Sequence, residues 1–210
     1  MAHAPARVPP ELLRRPIRVL RPQDAGSVYA HPRPEVARLT RAGALHRLAT
    51  GYYAAVPDDQ LGRHWLPELE AAALGIAAAD EGIDAVALMG LSAARVHGVI
   101  PRGLAVAVVA AGRRRPVLRL ADRDASVMFV RRDVAALDVQ QHTTELGRGW
   151  VTTVEQTILD LAARPELGGL PEETRAAIQG LLPRADHDLL HELATKQRRR
   201  PTLQRALEGS

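Results

Sequence analysis

"GALHRLATGYYAAVP", Gly43 to Pro57, holds two short apolar runs broken by Thr50-Gly51. Each run is of strand length, and Gly51 can take the positive φ that a tight turn demands, so the stretch predicts a two-stranded hairpin. What precedes it sets its meaning. "PRPEVARLTRAG" has Pro34 where a first helical turn tolerates it, Val36 and Leu39 three apart, and Gly43 as a stop, which together predict a helix. Before that, "RPQDAGSVYA" reads as a shorter helix, weakened by Gly26 and joined to the next through His31-Pro32-Arg33.

A short helix, a tight turn, an Arg-bearing helix and then a ribbon is the order of a winged helix-turn-helix. There the second helix enters the major groove and the ribbon touches the DNA backbone. On this reading Arg38 and Arg41, three apart on the side opposite Val36 and Leu39, read bases together with Thr40. Arg33 and Arg47 dock electrostatically on phosphate, with Thr50 and Tyr52 beside them on the wing. The same features also fit a surface helix and hairpin whose arginines only solvate it.

Charge is distributed unevenly. Residues 1–55 carry nine arginines against Glu11, Asp24 and Glu35, a balance of +6, and residues 193–210 carry +4, leaving −6 for the middle of a chain whose net charge is +4. Clustered arginine is what a phosphate-binding surface needs, since each contact releases condensed counterions. "GRRRP", Gly112 to Pro116, adds three successive arginines between two strand candidates. Arg113, Arg114 and Arg115 there form a solvated turn, a second DNA contact or a site for an acidic partner.

With 210 residues and 46% apolar content the chain can bury an ordinary core. Zero cysteines exclude disulfides, thiolate chemistry and Cys-ligated metal sites. The start lacks an apolar core of signal-peptide length, and the longest apolar run, residues 104–111, is far too short to cross a bilayer. The expected location is therefore the cytoplasm.

The expected organisation is α+β: a loose basic arm over 1–15 in which "PELLRR" makes one helical turn, a winged helix-turn-helix over 16–60, and a mixed α/β unit over 61–210 ending in helices. Within the last, Pro67 to Glu81 reads as an Ala-rich helix closed by Gly82, "DAVALMG" as a short buried strand or turn, and Ser92 as the N-cap of "AARVHG". Strand candidates follow at "LAVAVVA", "PVLRLA", "ASVMFVRR" and "LDVQQHTTEL". Thr153, with Gln156 three residues on, predicts a capping box for a helix striped by Val154, Ile158 and Leu161. Two or three helices follow from Pro171.

Three stretches carry a family resemblance. "EVARLTRAGALHRLATGYYAAVP", "GLSAARVHGVIP" and "TTVEQTILDLAARP" occur here in the order seen in the AbiEi antitoxins, and together they cover most of residues 22–165. The first resembles the winged-helix segment of that family, the second its Ser-Ala-x-x-x-His-Gly helix, the third the helix closing its central sheet. The resemblance implies a transcriptional regulator that binds repeats in its own promoter and opposes a nucleotidyltransferase toxin encoded beside it, as a monomer or weak dimer without cofactor. Residues beyond about 185, including "KQRRRP", have no counterpart in that pattern.

Catalytic constellations are sparse. Asp122, Asp124, Asp133, Glu145, Glu155 and Asp160 are the carboxylates a metal nuclease would need, yet no spacing ties them together, and Asp122 and Asp124 read as solvated turn residues. His187 and His191 stand four apart without the Glu of a metalloprotease motif, so no metal is expected. No phosphate-cradling Gly-rich loop is present, and His97 reads as a cap or packed residue more readily than as a general base. Two further readings remain beside the antitoxin: a nuclease or toxin-modifying enzyme with a DNA-binding module, and a stand-alone transcription factor.

Overall fold

The computed structural model describes residues 7–208. The fold is α+β. A three-stranded antiparallel sheet in the order β1-β3-β2 lies in the N-terminal part, and a six-stranded mixed sheet in the order β6-β7-β5-β4-β9-β8 lies in the remainder. The chain opens with α1 (Pro10–Leu13), β1 (Val19–Leu20), a 3₁₀ turn (Pro22–Ser27), α2 (Pro32–Arg41), β2 (Leu45–Ala49) and β3 (Tyr52–Ala55). Residues 1–6 of the arm expected to be loose lie outside the described residues. The rest of it is not loose: Val8 and Leu12 are buried against Leu20, Ala25, Val36 and Leu39.

The first of the two expected helices shrinks to that 3₁₀ turn, its start fixed by Pro22 and by the Arg21 N–H donating to Asp24 Oδ2 at 2.7 Å. The second begins two residues before Pro34, at Pro32, and buries Val36 and Leu39. The hairpin forms with Leu45 opposite Ala55 and Arg47 opposite Tyr53, and Gly51 takes φ 85° at its turn. A third strand, β1, pairs with β3 through Val19↔Ala54 and Leu20↔Tyr53.

α3 (Leu69–Glu81) starts two residues after Pro67 and ends where Gly82 takes φ 86°. Its face is filled by small residues, with Ala72, Ala73, Leu74, Ile76 and Ala77 fully enclosed. β4 (Val86–Leu88) and β5 (Val106–Ala111) pair antiparallel, while β5 pairs in parallel with β7 (Ser126–Arg131). β6 (Leu118–Arg119) is a two-residue edge. β8 (Val139–Thr144) forms a hairpin with β9 (Gly147–Thr152), which pairs in parallel with β4.

α4 (Gly90–Val96) begins before Ser92, so Ser92 is not its cap. Its Oγ is buried and instead accepts the Val108 N–H at 2.9 Å, tying α4 to β5. α5 (Val154–Ala163) is capped as expected on one side only: Thr153 Oγ1 accepts the Gln156 N–H. The Gln156 side chain does not reach back to complete the box; its Oε1 accepts the Asp138 N–H at 3.3 Å and pairs with Gln197. α6 (Pro171–Leu181), α7 (His187–Lys196) and α8 (Arg200–Glu208) pack with α4 and α5 around Leu159, Ala177, Leu190 and Leu203.

The two sheets are joined. Ile17 bridges Gly147, the Arg148 N–H reaches Pro16 O at 3.1 Å, and Leu48, Ala49, Tyr52 and Ala54 of the ribbon enter the same core as α3 and the larger sheet.

Candidate nucleic-acid interface

α2 displays its arginines because Val36 and Leu39 bury the opposite face. Arg33, Arg38 and Arg41 are all exposed. Arg33 and Arg41 meet no acidic partner among the described residues, whereas Arg38 Nε lies 2.9 Å from Glu35 Oε2. That hydrogen bond to Glu35, reinforced by its charge, raises the Arg38 pKa further above its ordinary value. Thr40 is half-buried, and its Oγ1 donates back to Val36 O at 2.8 Å, as a mid-helix threonine commonly does. Its hydroxyl is engaged within the helix in that rotamer.

On the ribbon, Arg47 and Thr50 are exposed, and Arg47 Nη2 donates to Thr50 Oγ1 at 3.1 Å across the turn. The turn approaches the start of α2. A groove of about 560 Å³ between them is lined by Arg21, Gln23, His31, Arg33 and Gly51 among others. The helix start itself is a poor anion cradle, since Pro32 and Pro34 remove two N–H groups from its first turn. Positive charge here therefore comes from guanidinium groups.

Tyr52 is a correction. It is 8% exposed, and its hydroxyl donates to Asp80 Oδ2 at 2.6 Å while accepting from Arg115 Nη2 at 2.9 Å. Burial first, and then the Asp80 carboxylate, raise its pKa. A side chain so enclosed packs the ribbon against α3 instead of standing on the outer face of the wing. Arg115 is a second correction: its guanidinium reaches Asp80 Oδ2 at 2.8 Å and stacks 3.9 Å above the Phe129 ring, so it is no free cation. Arg21 completes the cluster by pairing with Asp80 Oδ1 at 2.7 Å. Arg113 and Arg114, by contrast, are exposed and meet no partner among the described residues. Arg115 thus anchors to the ribbon a loop whose other two arginines face solvent.

A further tie lies on β2. His46 Nε2 is 2.8 Å from Asp122 Oδ2, Arg123 Nη2 bonds the same oxygen at 3.0 Å, and Trp65 packs edge-on against the imidazole. Asp122, expected to be a solvated turn residue, is enclosed. Burial pushes its pKa up, but the hydrogen bonds from His46 and Arg123 outweigh burial and hold it below the ordinary carboxylate value. The neighbouring Ala121 N–H donates to Leu48 O at 2.7 Å.

The other carboxylates disperse. Glu155 Oε1 accepts the Asp186 N–H at 2.8 Å, Asp160 pairs with Arg132 and Arg199, and Asp133 caps the turn at Ala135. No group of three or more metal-ligating side chains gathers among the described residues. His97 is half-buried, with Nε2 against Thr152 O at 2.8 Å, and burial lowers its pKa. No helix among the described residues is long and apolar enough to cross a membrane.

No protein-family model matches the chain, and no curated protein matches it significantly. Among solved structures, the crystal structure of RV2827C protein from Mycobacterium tuberculosis has a TM-score of 0.53 at 19% identity, over 94% of this chain and 75% of that one. The likeness is one of fold.

Proposed function

We propose that this chain is a DNA-binding regulator of the AbiEi antitoxin type, docking α2 in the major groove with the β2–β3 ribbon on the flanking backbone. The observation that carries this reading is the set of exposed arginines without an acidic partner: Arg33 and Arg41 on α2, Arg47 on the ribbon, and Arg113 and Arg114 on the loop tied to that ribbon. A solvating surface alternates its charges; here Glu35 is the one acid within α2. Each arginine that meets a phosphate releases counterions, and those on α2 add base-edge contacts. The chain acts on its own promoter, and its larger unit opposes a neighbouring nucleotidyltransferase toxin; both rest on the sequence resemblance.

Fluorescence anisotropy over a salt series, with the duplex upstream of the chain's own gene against a random duplex, tests the regulator. Preferential, salt-sensitive binding supports it, and equal affinity for both duplexes at low salt overturns it. Rescue of growth on co-expression with the adjacent gene product tests the antitoxin.

A further inference from the structure

The two sheets end in four edge strands, and the fold guards three of them. β1 is two residues long and follows a stretch whose Pro16 O and Arg18 N–H already bond Arg148 and Leu146. β2 carries His46 and Arg47, breaks register between Arg47 and Ala49, and gives its Leu48 O to the Ala121 N–H. β6 is two residues long, follows Pro116 and ends in Arg119. Short length, charge, proline and a broken register are the devices that keep an edge from pairing with another chain.

β8 has none of them. Val139–Thr144, "VQQHTT", pairs with β9 over six residues in unbroken register, without proline, lysine, arginine or carboxylate. In an antiparallel pair every second residue points its N–H and C=O away from the partner strand. On β8 these outward groups meet no backbone partner among the described residues. Gln140, Gln141 and Thr143 are exposed. A groove of about 200 Å³ opens beside the edge, lined by Gln141, Arg148 and Trp150 with Pro16 and Ile83 among others, so a strand laid on β8 has a recess for its side chains.

We propose that β8 is the contact through which two copies of this chain pair, edge to edge and antiparallel, about a two-fold axis at Gln141. Charge selects the second copy over a foreign strand. An edge that recruits a charged partner carries the opposite charge, whereas self-pairing doubles every charge at the contact and so favours a strand with no Lys, Arg, Asp or Glu. With the axis at Gln141, that residue meets Gln141 of the second copy, Gln140 meets its His142 and Val139 meets its Thr143. Amide and hydroxyl side chains both donate and accept, so such a row is complementary to itself. The pairing joins two six-stranded sheets into one and closes as a dimer, since each copy spends its one unguarded edge. It does not rest on the DNA-binding reading.

The test is sedimentation velocity of the full chain, without DNA, over a concentration series. A reversible shift from monomer to dimer is expected. Gln141→Lys sets two like charges against each other at the axis and should leave a monomer whose circular dichroism is that of the parent. Gln141→Glu should do the same, and mixing the two variants should restore the dimer. Gln141→Cys in this cysteine-free chain should form a disulfide-linked dimer on oxidation, because directly opposed residues stand about 4.5–5.5 Å apart at Cα, within disulfide reach. Arg119→Cys, on the guarded edge, should not. A chain that stays monomeric throughout overturns the proposal and leaves the edge to a strand of another protein. A dimer that survives Gln141→Lys, variants that stay apart on mixing, or cross-linking no better at Gln141→Cys than at Arg119→Cys also overturns it.

Discussion

Asp80 gathers two guanidiniums and a phenol from three separate parts of the chain, and the consequences of disturbing it are local enough to separate packing from recognition. Tyr52→Phe removes one hydrogen bond each from Asp80 and Arg115 and leaves their direct ion pair in place, so urea unfolding should show a loss of about 0.5–1.5 kcal/mol. Operator preference should survive; a large affinity loss at unchanged stability would place Tyr52 on the DNA after all. Glu35 makes the opposite case. It holds Arg38 on the surface of α2 and adds a negative charge to the proposed interface, so Glu35→Gln should tighten DNA binding, whereas Arg41→Ala should weaken it by about 1–3 kcal/mol and relax specificity. Anisotropy on matched duplexes reads both. His97 contributes to the pH dependence of stability. Burial holds its folded-state pKa below 6.5, so the unfolded chain takes up the proton first. Its contribution is complete above the unfolded pKa and is lost as pH falls from there through the folded value. His97→Gln should therefore flatten the decline in stability just below pH 6.5, measured as urea midpoints across pH.

Among the elements, α3 shows how glycine sets a packing distance. A Cβ built on Gly75 would lie 2.3 Å from Val19 Cγ2, so Gly75→Ala must push β1 away from the helix. An overpacked core loses about 1–3 kcal/mol, to be read in a thermal or urea scan; an unchanged midpoint would mean that β1 moves freely. The same geometry explains what was legible in the sequence. α3 and the β2–β3 hairpin announce themselves because Pro67, Gly82 and Gly51 punctuate them, and their conformations depend on nearest neighbours. β9 is hidden because its glycines interrupt alternation, and their reason is tertiary: a Cβ on Gly149 would meet Leu74 Cδ2 at 2.6 Å, one on Gly147 would meet Pro16 O at 2.0 Å. Ser92 misleads for a related reason, since its hydroxyl satisfies a strand N–H and not a helix end. At the candidate interface the Arg-bearing helix could be read from the period of Val36 and Leu39. The enclosure of Tyr52 and Arg115 could not, because their partner Asp80 is 28 and 35 residues away in sequence.

Across the whole molecule, the ribbon and the larger sheet depend on one core. Ile17, Val19, Leu48 and Tyr52 from the first 60 residues pack in the same cluster as Leu74, Val109 and Val151, so a fragment ending near residue 60 would expose that apolar face and should not fold alone. The full chain should unfold in a single transition. Trp65 stands against His46 of the ribbon, and Trp150 lies on β9. Single-tryptophan variants made by Trp→Phe changes should thus report coincident urea midpoints, and separated midpoints would mean two independent units. Shared folding has a consequence for recognition. Arg115 ties its loop to Tyr52 and Asp80, which places Arg113 and Arg114 next to a residue anchored on the ribbon. If they meet phosphate, they add charge without reading sequence. Replacing both by alanine should then reduce the slope of log affinity against log salt by about 0.9 for each phosphate no longer neutralised, with discrimination between operator and random duplex unchanged. A slope that does not move would take the loop off the DNA, and a fall in discrimination would mean that it reaches base edges. Arg115→Ala distinguishes rigid placement from mere charge: with Arg113 and Arg114 still present, it should lower the slope only if anchoring is what brings them to the backbone.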